Sequence, residues 1–232
     1  MKSNFRRINE LSVEFSKKLE EQHTYYLDSV VGYSKIDEVI SSKQEKIIDL
    51  LGKEHELANK EFLDKCSTVY KEIGKQNYTP VSLSPVMKQG DVKARNVANG
   101  TNTLLLGSNC IVALYSYWEE YFRIELGIAK GIIPQGSKNT DEVRSELNKH
   151  VVSDIWGDLR HLRNSIVHSN GWAYSKIKKC KIITCFNEGD YIILDFSKMH
   201  AIFLLLAEYR NELFKMSIPP RKGITLPGVK QC

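Results

Sequence analysis

The sequence lacks any apolar run long enough to cross a membrane. Its longest such run, residues 201–207, stops at Glu208 and falls well short of the roughly 20 residues that a transmembrane helix needs. Residues 1–7 lack the apolar core of a signal peptide. We therefore expect a cytoplasmic protein that makes no membrane contact.

Cysteine is also scarce. The five cysteines are odd in number, none belongs to a CxxC pair, and no histidine lies at zinc-binding spacing from two of them. We interpret them as reduced thiols, and we expect neither a metal nor a cofactor.

Net charge is small, but the positive charge is concentrated in one stretch. The chain carries +5, and between Trp156 and Lys181 six cationic residues accompany a single carboxylate, Asp158. A solvated basic face is the common explanation, whereas a phosphate-rich partner such as RNA would also be attracted to it. Three lysines of this stretch either contact an RNA backbone or keep an exposed strand edge soluble: Lys176, Lys178 and Lys179.

Residues 1–76 show two helical apolar patterns. Apolar residues recur every three or four positions over 3–30 and again over 36–73, with a break around Gly32. The spacing predicts a long N-terminal helical hairpin, similar to a coiled coil. We expect it to serve packing or partner binding, because it carries no catalytic signature.

Residues 77–107 interrupt the helical pattern. They contain Pro80 and Pro85, together with glycines and asparagines that favour turns. We predict a linker or an ordered loop there. The C-terminal tail, 217–232, begins close to two prolines and is predicted to be extended.

Residues 108–216 predict a helical domain. Helical spacing starts at Ser108 or Asn109, either of which can serve as an N-cap. The period changes to two over 180–196, which predicts a β-hairpin, and Ser197 would cap a last helix. Five aromatic residues at helical spacing favour core packing over a base-stacking platform: Tyr115, Tyr117, Trp118, Tyr121 and Phe122. The chain as a whole is predicted to be mainly α.

The stretch 158–171 carries the side chains with the clearest chemistry. Its Gly171 stands where helices commonly stop. At about 100° per residue, Arg163 lies roughly 140° from His168, so one helix would not bring the two onto one small group. A second copy across a two-fold axis would complete the site, which predicts a homodimer. The polar residues near the helix end are Arg160, Arg163, Asn164 and His168.

These residue types suit RNA cleavage. A histidine can take the proton from a 2′-hydroxyl or give one to the leaving oxygen, and the negative end of the helix dipole favours its protonated form. An arginine can hold the phosphate and stabilise the charge of the transition state, while an asparagine can orient either group. Because the RNA supplies its own nucleophile, this chemistry needs no metal ligand.

Arg163-Asn164-Ser-Ile-Val-His168 resembles the R-x4-6-H motif of HEPN domains, including the polar residue after the arginine. Glu119, on a long preceding helix, and the terminal helix are also similar, so the resemblance covers about 108–216. It implies a HEPN-like up-and-down four-helix bundle that dimerises with its motifs facing. Many members are metal-independent endoribonucleases of toxin–antitoxin, abortive-infection and antiviral systems.

The resemblance also implies roles for single residues. Arg163 and His168 would be catalytic, with Asn164 supporting them inside the motif, and Glu119 would be a supporting residue. Arg160 lies on one helical ladder with Asn164 and His168, and we expect it to support the site as well. The substrate would be RNA, and residues 1–76 could hold an antitoxin or a partner defence protein. In one toxin branch a tyrosine stands two residues after the histidine, where this chain has an asparagine.

Other interpretations stay open. The domain could be a non-catalytic HEPN-like module that binds RNA, a nucleotide or a protein, or an adaptor whose function lies in the coiled-coil pattern of 34–73. Arg163 and His168 could also be a surface arginine and a helix-capping histidine. A second R-x4-6-H match, Arg144 to His150, has no stop signal behind it, and we interpret it as chance.

Overall fold

The computed structural model describes residues 4–64, 67–69 and 86–218, and these residues are mainly helical. None of the helices in these ranges is long and apolar enough to cross a membrane. In chain order the elements are α1 (Phe5–Leu51), a 3-10 turn (Glu56–Ala58), α2 (Lys60–Asp64), β1 (Ser67–Val69), β2 (Val86–Lys88), α3 (Gln89–Asn96), α4 (Thr101–Tyr117), a π-helical turn (Trp118–Phe122), α5 (Arg123–Ala129), α6 (Asp141–His150), α7 (Asp154–His168), a second 3-10 turn (Ser175–Lys179) and α8 (Phe196–Ser217).

The described residues form two compact units. The first contains 4–21, 111–192 and 201–218. The second contains 22–64, 67–69, 86–110 and 193–200. Each of these units combines segments that are distant in sequence, and the division at 76, 107 and 216 stays a prediction.

The predicted N-terminal hairpin of two long helices is wrong at its turn. Helix α1 continues through Gly32, where an added Cβ would meet nothing within 4 Å. A single glycine costs a helix about 1 kcal/mol without ending it. The helix ends instead at Leu51, before Gly52 with φ +83°. Of the predicted pattern, 65, 66 and 70–73 lie outside the described residues.

The segment predicted as a linker or loop, 77–107, is described from residue 86 onwards. That part contains β2, which pairs antiparallel with β1, then α3 and the first turns of α4. The helix therefore begins at Thr101, well before the predicted caps Ser108 and Asn109. It passes through Gly107, where a Cβ would lie 2.8 Å from the carbonyl oxygen of Leu194.

Aromatic rings form the core of the first unit. Trp118, in the π-helical turn, stacks on Trp156 of α7 with ring centroids 4.5 Å apart and an interplanar angle of 2°. Phe15 and Tyr209 pack edge-on against Trp156. This cluster packs three other elements against α7, since its members come from α1, the π-helical turn and α8.

The prediction that the five aromatic residues pack in the core is confirmed for three of them. Tyr115, Trp118 and Phe122 are at most 8 % exposed. Tyr121 is 41 % exposed, and its hydroxyl donates to Glu14 at 2.9 Å. The ring of Tyr121 therefore lies at the edge of the core.

The predicted β-hairpin of 180–196 is not formed. The backbone amides of 181–183 donate to the buried carboxylate of Asp158 at 2.7–3.1 Å. Residues 189–192 exchange hydrogen bonds with 171–173 instead. The carboxylate of Asp158 thus accepts the hydrogen bonds of backbone amides that we expected to pair with a neighbouring strand.

The last helix begins one residue before the predicted cap. The Oδ1 of Asp195 accepts from the backbone amide of Lys198 at 2.9 Å. Asp195 therefore caps α8, and Ser197 lies in the first turn. The predicted tail, 217–232, lies outside the described residues from 219 onwards.

Candidate functional site

Helix α7 holds the candidate site at its C-terminal end. Ile155, Leu159 and Leu162 are at most 4 % exposed and bury one face of the helix. The helix stops at His168, and the two following positions with positive φ are Asn170 at +50° and Gly171 at +86°. The buried face therefore sets which side chains of the last turns point towards solvent.

Arg163 and His168 meet within one chain. The Nη1 of Arg163 lies 2.7 Å from the Nε2 of His168, and it also donates to the Oδ1 of Asn164 at 3.1 Å. The helical-wheel expectation that the arginine and histidine stay apart is wrong, because the long arginine side chain reaches around the helix end. The three motif residues therefore form a single cluster.

The hydrogen-bond chemistry defines the form of the histidine in this cluster. A guanidinium only donates, so Nε2 of His168 must accept, which leaves the ring proton on Nδ1. Nε2 consequently holds a lone pair that a substrate proton could use.

The cluster is open to solvent on one side and buried on the other. His168 is exposed, while Arg163 and Asn164 are half-buried. The Nε of Arg163 is buried and has no hydrogen-bond partner among the described residues. Such a group costs stability unless a partner arrives, and a guanidinium binds phosphate strongly.

Glu119 belongs to a neighbouring polar network. Its Oε2 accepts from the hydroxyl of Tyr115 at 3.2 Å and from Nη1 of Arg123 at 3.4 Å. The same arginine donates to Oδ1 of Asn148 at 2.8 Å. Burial, with the charge of Glu119 second, raises the pKa of Tyr115. The network is thus built around the buried Arg123.

Arg160 lies beside that network rather than within the motif cluster. It is exposed and lines, with Glu119 and Arg123, a cavity of about 130 Å³. Arg160 precedes Arg163 by one turn of α7. The structure therefore brings the two predicted supporting residues together, but their described contacts do not include Arg163 or His168.

The three predicted RNA-binding lysines lie on the 3-10 turn after α7 rather than on a strand. All three are exposed: Lys176, Lys178 and Lys179. Lys178 forms an ion pair with Glu188 at 2.6 Å, which reduces its free charge. The other two contribute to a positive field around His161.

His161 is a residue that the motif analysis passed over. Its Nδ1 lies 2.7 Å from the hydroxyl of Tyr174. Burial lowers the pKa of His161, and the charges of Arg160, Lys179 and Lys176 lower it further. The signal in the sequence that could have identified His161 is its position directly after Arg160.

Gly171 is required by the close packing around it as well as by the end of helix α7. A Cβ at this position would lie 2.6 Å from the ring of Tyr191, and the φ of +86° disfavours any side chain. The exposed rings of Tyr191 and Trp172 lie beside this turn. Sequence reasoning missed both aromatic residues.

The second motif match does not form a comparable cluster. The Nε of Arg144 donates to Oδ1 of Asn139 at 2.7 Å. The Nε2 of His150 lies 3.9 Å from a carboxylate oxygen of Glu146. Arg144 and His150 therefore contact separate partners on α6 and at its start.

No protein-family model, curated protein or solved structure matches the chain.

Proposed function

We propose that the chain is a metal-independent endoribonuclease of the HEPN type, with Arg163, Asn164 and His168 as its catalytic site. The observation that carries the proposal is the 2.7 Å approach of the Arg163 guanidinium to Nε2 of the exposed His168. A phosphate-binding cation and a neutral base are the two groups that cleavage by an RNA 2′-hydroxyl requires.

The first half of the reaction follows from this geometry. A backbone phosphate competes with His168 for the donors of Arg163 and takes them over, because a charge-assisted bond to phosphate is the stronger. Nε2 is then released beside the phosphate, where it accepts the proton of the 2′-hydroxyl. The 2′-oxygen forms a new bond to phosphorus, and Arg163 stabilises the charge that builds on the non-bridging oxygens.

The second half breaks the bond from phosphorus to the 5′-oxygen, and that oxygen needs a proton. Arginine does not supply it, since it stays charged in proteins. A second imidazole can supply it, and a two-fold related copy of α7 would present one. The products are a 2′,3′-cyclic phosphate and a 5′-hydroxyl. The second subunit of the proposed homodimer thus supplies the general acid, while each subunit keeps its own arginine and histidine together.

The surroundings of the site support a polyanionic substrate. Lys176 and Lys179 are exposed on the turn that follows α7, and their positive field already acts on His161. Exposed cations at this density attract nucleic acid without reading its sequence. Glu119 and Arg160 then act beside the site, through the network around Arg123.

The proposal also covers the fold and the biological role. The helices from α4 to α8 would correspond to a HEPN-like bundle, and the protein would act in the cytoplasm, either in phage defence or as a toxin. The long helix α1 presents exposed apolar side chains, among them Val31 at 68 % and Leu50 at 82 % exposure. These suit an antitoxin or a partner defence protein that binds within 1–76.

The test uses a matched pair of substitutions. Purified chain is incubated with RNA in EDTA, and the product ends are identified by mass spectrometry. Arg163→Ala should abolish cleavage, whereas Arg144→Ala, which removes the arginine of the second motif match, should leave it intact. A 5′-phosphate product, or equal activity of the two variants, would overturn the mechanism.

The alternative is a HEPN-like module that binds RNA, a nucleotide or a protein without cutting. The cavity of about 130 Å³ lined by Glu119, Arg123 and Arg160 favours it, since this polar network makes no described contact with Arg163 or His168, the two groups that the proposed reaction uses. Binding of RNA by a folded protein that never cleaves it, and that loses binding in Arg123→Ala but not in Arg163→Ala, would establish this alternative.

A further inference from the structure

An exposed aromatic pair follows the motif directly. Trp172 is 55 % exposed and Tyr191 52 % exposed. Their ring centroids are 5.4 Å apart, and the rings meet at an interplanar angle of 77°. The other two tryptophans, Trp118 and Trp156, are 2 % and 3 % exposed. Since burying such rings stabilises a fold, two large ones left side by side in water point to an external contact.

The backbone holds this pair firmly in place. Trp172 and Tyr191 form an isolated antiparallel bridge. The amide of Trp172 donates to the carbonyl of Ser169 at 2.9 Å, and the amide of Ile192 donates to the carbonyl of Gly171 at 2.8 Å. The ring of Tyr191 also covers Gly171 so closely that no side chain fits there. Rings that are already ordered lose little entropy when they bind a partner.

Along the chain, Trp172 lies between the motif and the basic turn. Trp172 is four residues after His168, which limits their Cα separation to about 15 Å. Lys176 and Lys179 follow on the next turn and are exposed. Exposed aromatic rings beside exposed cations are the combination that binds single-stranded nucleic acid, because bases stack on the rings while lysines contact the phosphates. The cations favour a polyanion over an apolar protein surface.

We infer that Trp172 and Tyr191 form a stacking platform for an unpaired base of the RNA whose backbone reaches Arg163 and His168. The identity of the ligand as RNA rests on the proposed function, but stacking can be measured without cleavage. The platform selects single strands, loops and bulges, since the bases of a duplex are already stacked. It also places the cut a few nucleotides from the stacked base.

The test uses tryptophan emission from the full chain carrying His168→Ala, so that the RNA stays intact. A short unstructured RNA should quench the emission of the single exposed tryptophan. Trp172→Phe should remove the quenching while keeping RNA affinity within a few-fold. Trp172→Ala should weaken the affinity about 5-fold or more. Phe214→Ala removes an aromatic ring of equal exposure, 56 %, and should change neither quantity.

Two further probes separate stacking from charge. An RNA duplex of the same sequence and inorganic polyphosphate should both bind in low salt without quenching. Equal quenching by polyphosphate, quenching that persists in Trp172→Phe, or equal affinities of Trp172→Ala and Phe214→Ala would each overturn the platform.

The outcomes for the platform and for the nuclease are distinguishable. Quenching by RNA together with wild-type protein that never cleaves would sustain the platform and overturn the ribonuclease. Cleavage without quenching would sustain the ribonuclease and overturn the platform. Protein that neither binds nor cleaves RNA would overturn both.

Discussion

Replacing Asp158 tests how the basic segment is attached to the helix that carries the motif. Its carboxylate is 2 % exposed and accepts from the backbone amides of Lys181, Ile182 and Ile183. Asp158→Ala removes the acceptor for all three donors at once. Because Asp158 and the motif share α7, the substitution acts on the support of the site without touching Arg163 or His168.

The magnitude follows from the exposure of the three donors. Ile183 is 7 % exposed, so its amide cannot regain water and costs about 1–3 kcal/mol. Lys181 and Ile182 are exposed, and their amides lose only the net value of a bond to a charged acceptor. We expect Asp158→Ala to lower the free energy of unfolding by about 4 kcal/mol or more, a large share of the 5–15 kcal/mol typical of a domain.

The assay is urea unfolding followed by far-UV circular dichroism. Asp154→Ala is the matched control, because this carboxylate lies one turn earlier on α7 and pairs with the side chain of Lys181 at 2.7 Å while staying 47 % exposed. An exposed pair of this kind is worth about 0–1 kcal/mol. Equal loss of stability in the two variants would refute the assignment of Asp158 as the buried anchor.

Three further outcomes follow from the geometry around α7. Gly171→Ala should destabilise the protein by about 1–2 kcal/mol or more, because of its positive φ and the ring of Tyr191; an unchanged melting temperature would contradict this. Burial, and then the charge of Asp158, raises the pKa of Cys180 to about 12. Alkylation of Cys180 by iodoacetamide, measured by peptide mapping, should therefore be negligible at pH 7 and should accelerate tenfold per pH unit up to about pH 11. The lowered pKa of His161 means that folding disfavours its protonation, so stability should fall as the pH drops below its unfolded value of about 6.5; His161→Gln should remove that part of the pH dependence.

Local periodicity was sufficient to predict the helical parts of the first unit. The end of α7 close to Gly171 depends on residues a few positions apart, so the sequence signals it directly. The structure agrees, since α7 ends at His168. The burial of Trp118 likewise follows from its spacing.

The predictions fail where something other than local periodicity decides the structure. The apparent strand of 180–186 loses its amides to Asp158, more than twenty positions earlier, which no periodicity reveals. Helix α1 crosses Gly32 because nothing there forces a turn. The approach of Arg163 to His168 depends on the reach of one side chain, whereas a helical wheel places only Cβ positions.

The measurement that tests the central claim most directly is the initial rate of RNA cleavage in EDTA by His168→Ala relative to His150→Ala. Both substitutions remove an exposed histidine that follows an arginine near a helix end. Loss of a general base should slow His168→Ala about 100-fold to 10,000-fold, while His150→Ala should keep the wild-type rate. Equal rates in the two variants would contradict the assignment of the catalytic site.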